Sequence, residues 1–283
     1  MSRNLPITDF RARRRVLVRS DFGIAEKRQP APADLINQNV WRSIVMLPDD
    51  VAIRTSNHHG TTLAQLDELN QAWLFSMRMP PYRERMSPVM LDAHDEMQAS
   101  IYNCLTGYYR FSAGGMRNVL ELVSIGCWAE VCGKKKEFTE WRKGKRELGL
   151  GVACDGLIAG AAPLESHLKA TVNDTLFSQK GSAATGITAQ GGCVRRLFAS
   201  LSDFAHSRPN YTDSHFRESN GPIYVKSAFN HVAWVHFETI AIAYVLVLIA
   251  RPKMRVSPAI RALFSDAKRV RSRVTRAAFM HLS

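Results

Sequence analysis

Cysteine is scarce and poorly spaced for any framework: the chain has five in 283 residues and no CxxC pair. That excludes a disulfide-knit secreted fold and a structural zinc site, and it points to a reducing compartment. HExxH, CxxC with HxxxH and EF-hand patterns are missing too, so no metal is implied. Neither GxGxxG nor a GK[ST] ending accompanies the small-residue stretch 149–162, GLGVACDGLIAGAA, which reads as close helix packing or a loop rather than a phosphate cradle. No cofactor is therefore called for, and without GxSxG covalent hydrolysis has no motif either. An apolar leader is also lacking, because Arg11, Arg13, Arg14, Arg15 and Arg19 break every early stretch; the expectation is a cytoplasmic protein. Residues 232–250 approach the length a bilayer needs, but His236 and Glu238 interrupt them and the unbroken apolar part, 239–250, is short. A buried core helix is the expected reading, with a membrane-associated helical protein as the remaining alternative.

What the chain does have is a globular composition and unevenly placed charge. At 46% hydrophobic and 22% charged residues, with 17 Gly and 12 Pro, it is neither disordered nor a repeat array, and its length suits one large or two small domains. The net charge of +13 sits wholly at the ends: residues 1–28 carry +5, residues 251–283 carry +8, and everything between is electroneutral. Such ends favour a polyanion, with affinity that falls steeply in salt. Arg13, Arg14 and Arg15 at one end, and Lys268, Arg269, Arg271, Arg273 and Arg276 at the other, are the candidate nucleic-acid contacts, for RNA ahead of DNA. The bland alternative is that the basic ends only solubilise the chain.

Periodicity predicts an all-α helical bundle over residues 34–252, preceded by a basic arm and QPAPA linker (1–33) and followed by a basic C-terminal segment (253–283). Pro48-Asp49-Asp50 between short apolar runs reads as the turn of a small N-terminal hairpin. Helices are predicted from Thr61 or Thr62 to before Pro80, from Ser87-Pro88 to about Arg110, through the face of Met116, Val119, Leu120, Val123 and Val131, over 137–148, over 164–177, over 193–206 and up to Pro252. Residues 178–192 look like a loop. Residues 258–281 put Ile260, Leu263, Phe264, Ala267, Val270, Val274 and Ala277 on one stripe with arginines opposite, a single basic amphipathic helix.

Three polar groups on apolar helices are candidates for chemistry. Asp203 and His206, three apart, with Arg208 beyond, are a carboxylate, an imidazole for general acid or base work and a phosphate holder. The structural alternative is a histidine held by the helix dipole and by Asp203. Arg117 and Glu121 read as a partly buried ion pair. His231, His236 and Glu238 sit on the long apolar helix, where His231 and Glu238 share a face that can meet Arg117 or His206.

Three stretches carry a family likeness: YRFSAGGMRNVLELVSIG at 109–126, RRLFASLSDFAHSRP at 195–209 and ESNGPIYVKSAF at 218–229. Together they resemble uncharacterised bacterial helical proteins that are loosely similar to the HEPN superfamily, found around defence and mobile-element systems. The resemblance implies an antiviral, metal-independent ribonuclease that self-associates, with an Arg followed by four to six residues and then a His, on one helix, cleaving RNA across a dimer. That spacing occurs at Arg54–His59, Arg208–His215 and Arg276–His281, about as often as chance supplies, and none of the three falls in a predicted core helix. The reading is thus a nucleic-acid-associated HEPN-like helical protein, a defence ribonuclease if His206, Asp203 and Arg208 are catalytic. Its alternative is a non-catalytic scaffold or subunit that docks on nucleic acid or a larger assembly.

Overall fold

The computed structural model describes residues 38–77, 85–179, 181, 190–205 and 222–283, so the arm, the linker and most of the 178–192 loop lie outside the described residues. Among the described residues there is no strand, and the fold is all-α. A turn at Gln38–Trp41 and a π-helical stretch Arg42–Met46 lead into α1 (Leu47–Ser76). α2 (Met86–Leu105), α3 (Tyr109–Val131), α4 (Lys135–Arg142), α5 (Leu150–Gly160) and α6 (Ala162–Val172) follow. α7 (Cys193–Ala205), α8 (Lys226–Ala250), α9 (Pro258–Ser265) and α10 (Arg273–Leu282) complete the bundle.

The hairpin expectation is wrong. Pro48 sits in the first turn of α1 with Asp49 and Asp50 behind it. Met46 and Leu47 before it already have helical φ/ψ, so the helical backbone runs on from Gln38, and Pro48, which has no amide hydrogen to give, follows directly on the π-helical stretch where the ladder widens. α1 consequently begins well before Thr61, though it kinks at His59, whose φ of −131° and ψ of 17° leave the helical region.

α3 is the central helix, packed by α2, α5, α7 and α8. α2 and α3 are separate helices rather than one that runs to Arg110, because Gly107 takes a φ of +85° between them. A Cβ there would stand 2.5 Å from the Ile223 carbonyl oxygen, so the chain entering α8 crosses directly over this turn. The small residues of α5 serve close packing, as the sequence suggests: a Cβ on Gly156 would meet the Trp128 ring at 2.4 Å.

α8 is the helix long and apolar enough to cross a membrane, and 89% of that window is buried inside the bundle. Its second half touches apolar side chains almost throughout, Tyr244 meeting Trp73 edge to face at 5.3 Å. The C-terminal segment is not one amphipathic helix. Asp266 takes an extended backbone after α9, and Ser272 caps α10 by accepting the Thr275 amide, which splits the stripe in two. Both pieces dock: Ile260, Leu263, Phe264, Val270 and Val274 are buried, and α10 packs on α8 and α6.

Candidate functional site

Of the sequence-derived trio, Asp203 is half-buried in the last turn of α7, while His206 and Arg208 lie outside the described residues, as do Arg13, Arg14 and Arg15. Next to Asp203, the Phe204 carbonyl accepts from the Arg110 guanidinium at 3.3 Å. Arg117 and Glu121 form the expected ion pair at 3.3 Å. Arg117 turns to α7 rather than to α8, bonding Ser202 Oγ at 3.1 Å and covering the Phe198 ring at 4.5 Å.

The three polar residues of α8 go three ways. His231 lies among Phe204 and Trp234, with ring centroids 6.0 and 5.3 Å away. His236 points into α2 and α3, fully buried: its Nδ1 donates to the Val232 carbonyl at 2.8 Å, and its Nε2 stands 2.9 Å from Ser100 Oγ. The Ser112 hydroxyl donates to the Ser100 carbonyl at 2.7 Å, closing the network. Burial drives the His236 pKa down to about 4, against the pull of the Val232 carbonyl, so the ring is neutral with its proton on Nδ1, while the Ser100 hydroxyl beside Nε2 donates to the Ser112 carbonyl. A neutral imidazole walled off from water does no acid–base work on an outside substrate.

Glu238 faces α10 and builds its start. One carboxylate oxygen accepts the amides of Arg271 and Ser272 at 3.0 and 3.2 Å; the other accepts Thr275 Oγ1 at 2.7 Å. Burial raises the Glu238 pKa and these three donors oppose it. A core carboxylate thereby completes what Ser272 begins at the N-terminus of α10.

This arrangement sorts the C-terminal basic residues. Arg269 is half-buried over the Phe237 ring at 5.1 Å, and burial lowers its pKa. Arg276 folds back to the carbonyls of Val270 and Arg271. Lys268, Arg271 and Arg273 remain exposed. Arg271 lies over the Trp234 ring at 4.9 Å, which fixes its guanidinium while leaving its donors outward. Beside it opens a cleft of about 680 Å³ lined by Asp174, Arg196, Ser200, Trp234, Arg271 and Arg273. Arg196 meets Asp174 through two bonds, 3.1 and 2.6 Å long.

Sequence reasoning passed over Arg196, Trp234 and Asp174, and no local spacing marks them: they come together only through the packing of α6, α7 and α8. Cys193 lines the same cleft but is no nucleophile, since burial, with Glu238 beside it, raises its pKa. Burial raises the pKa of the other four cysteines as well. Among the described residues no three His, Cys, Asp or Glu side chains converge as a metal-binding group.

Compared with known proteins, the chain matches no family model, no curated protein and no solved structure.

Proposed function

We propose that this is a nucleic-acid-associated helical protein of HEPN-like type, whose C-terminal segment and cleft grip a phosphate backbone. The carrying observation is the exposed trio Lys268, Arg271 and Arg273, mounted on backbone that Glu238 pins and with Arg271 stacked on Trp234. Guanidinium groups held before the ligand arrives lose less freedom on binding, and the planar fork suits phosphate oxygens. Single-stranded RNA fits this surface best, because an aromatic ring beside arginines offers stacking together with charge.

The test is fluorescence anisotropy with single-stranded RNA between 50 and 200 mM salt. Replacing both Arg271 and Arg273 with Ala lowers affinity about tenfold or more and removes roughly 1.4 from the slope of log K against log salt, at about 0.7 per phosphate contact. Purified protein that ignores RNA and DNA at low salt ends this reading. The ribonuclease form of the proposal assigns cleavage to His206 with Asp203 and Arg208. It requires that His206→Ala abolish RNA cleavage without lowering Tm, whereas a wild type that binds but never cleaves leaves the scaffold reading.

A further inference from the structure

A second group of basic side chains, none of them lining the cleft, gathers at the kink of α1. The chain that enters α8 is anchored on both sides of Tyr224. Ile223 lies against Gly107, and the Val225 amide donates to Tyr109 Oη at 3.2 Å. Tyr224 is thus a fixed ring, and α1 wraps around it. His58 stacks on it with centroids 5.3 Å apart and planes 18° from parallel, and His59 Nε2 stands 3.0 Å from its hydroxyl. His59 in turn stacks on Phe229 at 4.0 Å, which sets both imidazoles.

Two permanent cations complete the group. Arg54 lies one turn before His58 on α1, and Lys226, the first residue of α8, lies two residues after Tyr224. Both are exposed, and neither makes an ion pair among the described residues. α8 begins here with Val225 as its cap, no side-chain capping bond and no acid in its first turn. Like charges collected around one phenol repel, and an anion removes that cost.

We propose that Arg54, His58 and Lys226, arranged around Tyr224 and His59 at the α1 kink, bind a terminal phosphate group. A phosphate monoester carries a charge of about −1.5 to −2 near neutrality, which matches two fixed cations beside imidazole N–H donors better than the single charge of a backbone diester does. His59 is the reporter. Burial, His58 and Lys226 lower its pKa, in that order of size, and a bound anion raises it. None of these residues lines the cleft, so this site stands or falls separately from the RNA grip proposed above.

The experiment follows the His58 and His59 imidazole resonances of the full-length protein by NMR during titration with inorganic phosphate. A short oligonucleotide, with a 5′-phosphate or a 5′-hydroxyl, is then titrated in the same way. Phosphate is expected to shift both resonances and raise the His59 titration midpoint. Arg54→Gln and Lys226→Gln, both at exposed positions, are each expected to weaken the effect about tenfold. Tighter binding of the 5′-phosphorylated oligonucleotide than of its 5′-hydroxyl twin makes the ligand a nucleic-acid end. Binding of inorganic phosphate with no preference between the two oligonucleotides makes it a small phosphate. Unmoved resonances in inorganic phosphate, or variants that bind as wild type, overturn the proposal.

Discussion

The two halves of α8 obey different rules. From Thr239 to Ala250 the helix buries itself by apolar contact alone, and nearly every side chain is enclosed. From Lys226 to Glu238 it carries Lys226, His231, His236 and Glu238, and the two most buried of these are held by donors or acceptors from another element. The difference teaches that one helix can be both core and mount. The apolar half needs only volume to be filled, while the polar half needs named partners, and it is there that the molecule positions its basic residues.

This contrast can be broken at several points. The largest effect is expected in the apolar half: Leu246→Ala, at a fully enclosed position, costs about 4 kcal/mol by urea denaturation and leaves RNA affinity per folded molecule unchanged. A loss of RNA affinity in that variant would mean that the halves are not separable.

Next comes acid. The unfolded His236 titrates near 6.5 and the folded one near 4, so the unfolded chain takes up the proton first as pH falls. The stability due to the neutral ring is complete above about pH 6.5 and is lost as pH drops to 4, a swing of about 3 kcal/mol. Half-buried Glu165 and buried Glu238, with raised pKa values, act in the opposite sense. The measurement is therefore the difference between wild type and His236→Gln across that window, and parallel curves would show that His236 is not the titrating group.

Smallest is Glu238→Gln, which keeps the size of the side chain but weakens its bonds to the Arg271 and Ser272 amides. About 1 to 2 kcal/mol of stability should go, and RNA affinity should fall several-fold as the Arg271 mount loosens. Unchanged RNA binding would separate the basic segment from the core that holds it.

The all-α fold was legible because apolar residues at helical spacing must share a buried face. Val194, Leu197, Leu201 and Phe204 lie where the period puts them. Errors arose where one local signal serves two structures. Pro48-Asp49-Asp50 spells a turn by composition, yet it lies within helical backbone that runs from Gln38 to Ser76. The C-terminal stripe looks continuous because a helical wheel cannot register the extended backbone at Asp266 that rotates α10 onto α8. Arg54 and His59, set aside as lying outside any core helix, are in fact both on α1. The cleft was not legible at all: Arg196, Trp234 and Arg271 are brought together by tertiary packing, which leaves no trace in spacing.

The carboxylate of Glu238 has a consequence for how signals travel. Because one interior side chain holds both ends of the 271–275 turn, a polyanion that immobilises Arg271 also tightens that turn upon the central rod. By reciprocity, whatever loosens Glu238 from that turn weakens the polyanion's hold by the same coupling free energy. Amide exchange in the Glu238 turn of α8 would then register ligand that touches none of its buried residues.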